Sequence, residues 1–192
     1  MTTRHLVVIA AGTGGHVIPG LAVAREMQQR GWTVSWLGTA HGIENRLVPP
    51  AGIALDTVAF SGVRGKGLRH SVAGVARLVG ALWHCLRILR RTDARAVLGM
   101  GGYLCFPGGL VAWLLRRPLV LVNADAALLL SNKALLPFAD RIAFGFDGAA
   151  ARRTRAAVVT GNPVRAEIEA LPERAQRYAG RCGALRLLVV GG

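Results

Sequence analysis

Short apolar runs of strand length alternate with segments of helical periodicity along most of this chain. The strand-like runs fall at residues 6–10, 33–37, 53–58, 96–98, 119–122, 141–144 and 157–159. Helical patterns lie between most of them and end at Gly31, at Pro49-Pro50 and at Pro118. This alternation predicts an α/β protein with a Rossmann-like, doubly wound parallel sheet that is covered by helices on both faces.

A glycine cluster follows the first apolar run. It reads Gly12-Thr13-Gly14-Gly15-His16, and Pro19 then begins an apolar-periodic segment, so a helix is predicted from this proline onward. Glycine permits positive φ angles and a close approach of the backbone to a ligand, and the start of a helix favours an anion. The cluster therefore predicts a phosphate or pyrophosphate site. A glycine turn that only packs a helix on the sheet is the structural alternative.

Two better-known phosphate loops do not fit this spacing. A dinucleotide fingerprint that starts at Gly12 needs a third glycine where Val17 stands, and no acid follows the second strand before Glu44. A nucleotide-dependent oxidoreductase is therefore disfavoured. A Walker-type loop is excluded as well, because Gly65-Lys66-Gly67 lacks the serine or threonine that would hold a metal ion.

A second glycine cluster repeats the pattern of the first. Residues 99–103 read Gly-Met-Gly-Gly-Tyr. A Pro-Gly pair follows, as after the first cluster, but one residue further along the chain. In an open parallel sheet both clusters would lie at the carboxyl ends of strands, on the side where ligands bind. Two similar loops on one side predict two similar roles in binding.

Length and composition allow one doubly wound domain. The chain has 192 residues, of which 52% are hydrophobic. A strand candidate at 185–190 precedes two glycines, so we expect 1–162 to form the first domain and 163–192 to form a connecting segment and the first strand of a truncated second domain. A helix is predicted over 173–182, and Asn162 is expected to cap the polar helix that contains Glu167 and Glu169.

The chain is strongly basic, with a formal net charge of +14 from 24 Lys+Arg against 10 Asp+Glu. A polyanionic partner is expected, which could be a phosphorylated ligand, an anionic lipid surface or a nucleic acid. Aromatic residues make up only 6%, and the sequence has no RNA-binding strand signature, no paired Cys and His for zinc and no Asp-x-Asp motif. No nucleic acid, metal or cofactor is therefore expected. Cys85, Cys105 and Cys182 are few and far apart, which fits a reducing cytoplasm.

A basic amphipathic helix is predicted after the glycine-rich loop at 62–69. Apolar residues recur at helical spacing from 72 to 89, with arginines on the other faces. A helix that covers a sheet also needs such a stripe, but Trp113, Arg116 and Arg117 add a ring and two cations of the kind that settle at an anionic bilayer surface. No apolar run is long enough to span a bilayer, so membrane contact is expected to be peripheral. The residues predicted to contact a membrane are Lys66, Arg69, Val72, Val75, Val79, Trp83, Trp113 and Arg116.

The two glycine clusters, the loop at 61–67 and the run Gly161-Asn162-Pro163-Val164-Arg165 form one specific set of motifs. Through this set the chain resembles the N-terminal half of the MurG family from residue 6 to residue 192. The resemblance implies a two-domain glycosyltransferase of the GT-B type, in which the N-terminal domain receives the lipid acceptor and the C-terminal domain holds most of the nucleotide sugar.

The resemblance also implies the reaction and its place in the cell. The family moves N-acetylglucosamine from UDP-N-acetylglucosamine (UDP-GlcNAc) to undecaprenyl-pyrophosphoryl-N-acetylmuramoyl pentapeptide, which converts lipid I to lipid II in peptidoglycan synthesis. Such an enzyme works as a peripheral protein at the cytoplasmic face of the inner membrane. Its implied partners are its two substrates, the anionic membrane surface, and proteins of cell-wall synthesis or cell division.

Individual residues can be carried over by their match to the family's motifs. They are Thr13, Gly14 and Gly15 in a first loop at the cleft; His16, which matches a histidine important for activity; Gly101, Gly102 and Tyr103 in a second loop, proposed with the first to cradle the acceptor pyrophosphate; and Arg165, which matches a donor-side arginine near the hinge.

The chain departs from the family's pattern at one place. The family usually has His-Glu-Gln-Asn where this sequence reads Val122-Asn123-Ala124-Asp125. The asparagine that helps to hold the donor therefore falls on Asp125, or on Asn123 if the loop shifts. An aspartate keeps an acceptor oxygen but loses the amide donor and adds a charge.

The implied chemistry is an inverting single displacement, in which the muramoyl C4 hydroxyl attacks the anomeric carbon of the donor. His16 is the candidate for the base that takes the hydroxyl proton, because imidazole titrates near neutral pH. Asp125 is the second candidate, and a structural role for His16, which would cap and orient the loop, stays open. The rival functions are a non-catalytic module that binds anionic lipid and another GT-B glycosyltransferase.

Overall fold

The sheet of this protein is built from the apolar runs of the sequence. The computed structural model describes residues 4–60, 68–184 and 187–188, and within these ranges the sheet has seven strands. The strands are β1 (His5–Ala10), β2 (Thr33–Thr39), β3 (Ala54–Val58), β4 (Ala96–Gly101), β5 (Leu119–Asn123), β6 (Arg141–Phe144) and β7 (Ala157–Val159). Each lies on a predicted strand, and the predicted fold class is confirmed.

The strand order places a crevice beside β1. The order is β3-β2-β1-β4-β5-β6-β7, and every neighbouring pair is parallel. The chain winds outward from β1 to β3 and then returns to β4 on the other side of β1. In such sheets ligands bind at the carboxyl ends of the two strands where the winding reverses, here β1 and β4. The first glycine cluster follows β1, and the second begins in the last residues of β4.

Helices cover both faces of the sheet. They are α1 (Gly14–Gln29), α2 (Glu44–Leu47), α3 (Leu68–Arg91), α4 (Cys105–Leu114), α5 (Leu130–Leu135), α6 (Ala149–Arg152), α7 (Ala166–Glu169) and α8 (Arg174–Tyr178), with short 3-10 turns at Pro49–Ala51 and Leu136–Phe138. Alternate residues of β1 enter separate cores: Val8 packs with α1 on one face, and Val7 packs with α3 and α4 on the other. The strands are buried on both sides, which explains why they read as continuous apolar runs.

The prediction that the first helix begins at Pro19 is wrong. The helix starts at Gly14, five residues earlier, and Pro19 lies inside it. Thr13 has an extended backbone, and its carbonyl accepts hydrogen bonds from the N–H groups of His16 and Val17, both at 3.2 Å. The preference of proline for the first helical position is statistical, and these two bonds set the start instead.

The prediction that Asn162 caps a helix is also wrong. The following helix, α7, is a single turn preceded by Arg165, and it has no side-chain cap. The Asn162 amide instead donates to the carbonyl of Ala124, at 3.1 Å, and its side chain lies where a side chain at Gly145 would overlap it. Asn162 therefore ties the segment after β7 to the loop after β5.

Part of the C-terminal prediction can be compared with the structure. The helix expected over 173–182 is present in shorter form as α8. The strand expected over 185–190 lies outside the described residues, apart from 187–188. Most of the glycine-rich loop expected at 62–69 lies outside them as well, and its last two residues belong to α3. None of the helices in the described ranges is both long and apolar enough to cross a lipid bilayer.

Candidate functional site

The two glycine loops meet at the carboxyl edge of the sheet, on one side as predicted. Gly101 and Gly102 have φ angles of +117° and +90°, which residues with a side chain rarely adopt. A Cβ atom at Gly102 would lie 2.6 Å from the carbonyl oxygen of Ala11, and one at Gly101 would lie 2.7 Å from the imidazole ring of His16. Glycine is therefore required at both positions, because its lack of a side chain lets the second loop touch the first.

Two amide groups are free at the start of α1. The N–H groups of His16 and Val17 bond to Thr13, but within the described part of the chain those of Gly14 and Gly15 have no hydrogen-bond partner. Unpaired amides in the first turn of a helix can hold an anion. The early start of α1 thus places the predicted phosphate-binding glycines in its first turn.

His16 lies between the two loops and is half-buried. Burial lowers the pKa of its imidazole below the ordinary value of 6.5, while the negative charge of Asp125 and the backbone of Met100 oppose this shift. Nδ1 is buried and makes no hydrogen bond to any described residue. The ring is therefore neutral at pH 7 and able to accept a proton.

Asn123 and Asp125 differ sharply in their surroundings. Asn123 is fully buried. Its amide donates to the carbonyls of Asp125 (2.7 Å) and Ala127 (3.0 Å), and its oxygen accepts from the Leu129 N–H (2.9 Å) and from Asn132 (3.3 Å). All of its hydrogen-bonding capacity is used to shape the loop, whereas Asp125 is exposed. Of the two candidates for a donor contact, only Asp125 has a side chain free to meet a ligand.

Arg165 is exposed at the residue before α7. Its guanidinium has no ion pair with any residue that the structure describes. The neighbouring contact from Asn162 to Ala124 brings this segment to the loop of Asp125. The structure thus brings residues 13–16 together with residues 101–103. Arg165 lies on an adjacent exposed segment.

A cavity of about 530 Å³ opens beside the loops. It is lined by Gly12, Thr39, Ala40, His41, Gly42, Val58, Ala59, Phe60 and Tyr103. The exposed ring of Tyr103 faces that of Phe60, with 6.0 Å between the ring centroids. None of these described wall residues is an acid, lysine or arginine, although the chain as a whole is strongly basic. The cavity therefore suits an uncharged polar group better than a phosphate.

Two buried side chains that the sequence analysis gave no role hold the loops in place. The Cys105 thiol lies within hydrogen-bond distance of the carbonyls of Ile9 (3.2 Å) and Gly101 (3.0 Å), which share its single S–H donor. Burial raises its pKa to about 12, so that it stays neutral. Glu44 accepts a hydrogen bond from the N–H of Gly12. Position was the only available signal, since Cys105 directly follows the second loop and Glu44 is the first acid after β2.

The predicted membrane residues fall into two groups. Val75, Val79 and Trp83 are each 59% exposed on α3, one turn apart, and Trp113 and Arg116 are exposed where α4 ends. Leu82, Leu86 and Leu89, further along the same stripe, face the core instead. Lys66 lies outside the described residues, as do the side chains of Arg69 and Val72.

Comparison with known proteins shows the family of this chain. Residues 6–144 match the family model of the glycosyltransferase family 28 N-terminal domain. Curated relatives from Methylibium petroleiphilum and Chromobacterium violaceum are 74% and 60% identical over all of this chain, and both are named UDP-N-acetylglucosamine--N-acetylmuramyl-(pentapeptide) pyrophosphoryl-undecaprenol N-acetylglucosamine transferase. The chain spans about half the length of these relatives, 53% in each case.

A solved structure supports the same relationship. The crystal structure of MurG from Acinetobacter baumannii superposes with a TM-score of 0.78 at 32% identity, over 94% of this chain and 50% of that one. The N-terminal domain of a GT-B enzyme is thereby confirmed as the fold, and the resemblance to the MurG family holds. The chain belongs to glycosyltransferase family 28, whose N-terminal domain it contains.

Proposed function

We propose that this chain is the acceptor-binding half of an inverting glycosyltransferase that moves N-acetylglucosamine from UDP-GlcNAc to undecaprenyl-pyrophosphoryl-N-acetylmuramoyl pentapeptide. The observation that carries the proposal is the contact of the two glycine loops around a neutral histidine, in a chain 74% identical to a relative named for this transfer. Residues 1–162 form the acceptor domain in this proposal. Residues 163–192 lead into a donor-binding domain.

The acceptor pyrophosphate binds where the loops meet. The free N–H groups of Gly14 and Gly15 donate to its oxygens, and the positive end of the α1 dipole adds to the attraction. Thr13 and the second loop, Gly101 to Tyr103, complete the cradle. The net charge of +14 makes the surface as a whole attractive to this anionic ligand.

The sugar and peptide of the acceptor use the uncharged cavity beside the cradle. Tyr103 belongs both to the second loop and to the cavity wall, so one side chain contacts a ligand that extends from one to the other. Its exposed ring offers an apolar face to a sugar, and the backbone at Thr39 to Gly42 offers polar groups.

His16 acts as the general base. It takes the proton of the muramoyl C4 hydroxyl while that oxygen forms a bond to the anomeric carbon, and the bond from that carbon to UDP breaks with its electron pair leaving on UDP. The lowered pKa of His16 keeps the ring unprotonated before the reaction. The Asp125 carboxylate stabilises the imidazolium that forms, and Asp125 itself is the alternative base. Arg165 and Asp125 face the donor side.

A surface on α3 and α4 docks the enzyme on the cytoplasmic face of the inner membrane. We define this docking surface as Val75, Val79, Trp83, Trp113 and Arg116. Exposed valines and tryptophans next to arginines suit an anionic bilayer surface. Arg116 has a left-handed backbone, φ +53°, at a helix end where glycine is usual, so its side chain is kept at a cost in backbone energy. Proteins of cell-wall synthesis or division would meet the enzyme at this membrane.

A transfer assay tests the proposed reaction. This chain is joined to the C-terminal half of the Methylibium petroleiphilum relative, and incorporation of labelled N-acetylglucosamine into a lipid I analogue is measured. We expect turnover from the joined protein and none from the 192-residue chain alone, because in this proposal the C-terminal half holds most of the nucleotide sugar. His16→Ala should lower turnover by about 100-fold to 10,000-fold.

The matched control for His16→Ala is the same change at the other end of β1. His5 bonds to Thr33 and Ser35 at the amino-terminal edge of the sheet, so His5→Ala should leave turnover close to that of the parent. Absence of transfer in the joined parent, with lipid binding retained, would favour the non-catalytic lipid-binding module. Near-normal turnover of His16→Ala would exclude His16 as the base.

A further inference from the structure

Glu44 forms a buried link between the end of β2 and the first glycine loop. Its Oε1 accepts hydrogen bonds from the N–H and the hydroxyl of Thr39, at 2.8 and 2.7 Å, and its Oε2 accepts from the N–H of Gly12, at 3.3 Å. The side chain has no exposed surface at all. Thr39 is close to Glu44 in the sequence, whereas Gly12 lies 32 residues earlier and is brought near because β1 runs beside β2.

The surrounding chain makes room for this carboxylate. A Cβ atom at Gly38 would lie 2.7 Å from Cγ of Glu44, and one at Gly42 would overlap the carboxylate itself. Burial would raise the pKa of Glu44, but hydrogen bonds from Thr39 and Gly12 outweigh it, so the pKa is lowered and the group is ionised at neutral pH. A buried charge is costly unless it is hydrogen-bonded, and here backbone and hydroxyl donors fill that need.

The turn that carries Glu44 already has another support. The amide of Asn45 donates to the carbonyls of Thr39, at 2.7 Å, and Gly42, at 3.0 Å, which closes the same turn. What Glu44 adds is the bond to Gly12, the residue that begins the loop with a φ of +98°. Because Gly12 directs the chain into Thr13 and α1, its position sets that of the free amides and of His16.

We propose that Glu44 is a positioning residue for the transfer reaction, which fixes the first glycine loop against β2 through Gly12. This inference rests on the proposed function for its effect on turnover, but the Glu44–Gly12 link itself does not. The link also leaves the Gly12 N–H unavailable to a ligand, so the cradle relies on the amides that follow.

Only a carboxylate of this length can accept hydrogen bonds from both Thr39 and Gly12. A glutamine has one acceptor oxygen, so in either orientation its NH₂ group would face a backbone N–H, of Gly12 or of Thr39. Aspartate is one methylene shorter and cannot bridge both groups. Glu44→Gln therefore keeps the volume of the side chain and removes one bond of the link.

The test compares Glu44→Gln with Asn45→Ala in the joined enzyme. Both changes affect the turn after β2, but only Glu44→Gln alters the group that bridges Thr39 and Gly12. We expect Glu44→Gln to lower kcat by about tenfold to 100-fold, the scale of a small misplacement of reacting groups, with an unchanged KM for UDP-GlcNAc. Asn45→Ala should lower thermal stability and leave kcat at the parent value. Equal kcat in Glu44→Gln and the parent would overturn the proposal.

A spectroscopic readout keeps the link testable without turnover. In the amide NMR spectrum of the 192-residue chain, the Gly12 resonance should move on Glu44→Gln and stay in place on Asn45→Ala. Gly42→Ala, whose Cβ would displace the carboxylate, should reproduce the Glu44→Gln shift. A joined parent without transfer would refute the proposed function alone, whereas an unmoved Gly12 resonance in Glu44→Gln would refute the link alone.

Discussion

Burial and a nearby charge act in opposite directions on His16. Contact with Gly101 removes water from the ring and lowers its pKa, and the Asp125 carboxylate partly restores it. A base with a lowered pKa stays unprotonated over more of the pH range. The two candidate bases can therefore be distinguished by experiment. If His16 is the base, removing the charge of Asp125 should change the pKa that governs activity.

The pH dependence of kcat/KM in the joined enzyme separates the two candidates. We expect the loss of activity of the parent at acid pH to have its midpoint below 6.5, since the pKa of His16 is lowered from that value. Asp125→Asn should move this loss to still lower pH, because the charge that raises the pKa is gone. The profile is measured from about pH 5 to 8. Loss of turnover in Asp125→Asn at every pH would instead make Asp125 the base.

Single residues differ in how far the sequence alone predicts them. Gly101 and Gly102 were predictable, because a turn that needs positive φ favours glycine whatever surrounds the turn in the fold. Glu44 was not, since its role depends on a contact with Gly12 that only the pairing of β1 and β2 creates. Asn162 was predicted wrongly because a cap is a local expectation: α7 begins only at Ala166, and the Asn162 side chain is held by its NH₂ group on the distant carbonyl of Ala124.

At the scale of elements, the second glycine loop supports the first helix of the site. The register between β1 and β4 skips Met100, so that Ile9 pairs with Gly99 and Ala10 pairs with Gly101. This irregularity brings Gly101 level with the end of β1 and against the first turn of α1. The close approach, more than the left-handed backbone, is what a side chain at Gly101 would disturb.

Two glycine-to-alanine variants separate these effects. Gly31 has a φ of +79° with no atom near an added Cβ, so Gly31→Ala should cost only the strain of the left-handed backbone, about 1–2 kcal/mol. Gly101→Ala adds a collision with His16, so it should cost more and also lower turnover. Urea unfolding and the transfer assay measure the two quantities. Equal stability loss with normal turnover in Gly101→Ala would contradict the contact.

Strands were predictable from the sequence, whereas one helix start was not. Strands buried on both faces are apolar runs of the right length, which is a strong signal. The start of α1 depends on the backbone of Thr13, and the sequence offered a proline as a more conspicuous, but wrong, signal.

For the whole molecule, the sheet separates the face that carries the proposed docking surface from the opposite face. The core around α3 and α4 lies on one side and that around α1 lies on the other. Arg116 and Arg25 are both exposed, on opposite sides. The two arginines contribute equally to the net charge. A flat anionic surface that contacts only one face would attract the arginine on that face more strongly.

Binding to anionic vesicles tests the docking surface with a matched pair. Arg116→Glu and Arg25→Glu change the net charge by the same amount, so we expect a clear loss of vesicle binding for the first and a small loss for the second. Trp83→Ala should weaken binding even at high salt, because it removes apolar contact. Equal losses in the two arginine variants would show attraction by total charge alone.

The hydrogen bond from Asn162 to the carbonyl of Ala124 has a consequence for how the sequence can change during evolution. Its acceptor is a main-chain oxygen, which every amino acid supplies. The link between the segment after β7 and the loop after β5 therefore does not depend on which side chains stand at 124 and 125, and Asn123 shapes the backbone of that loop. Evolution could exchange the family's usual residues in this stretch for Ala124 and Asp125 without losing this bond.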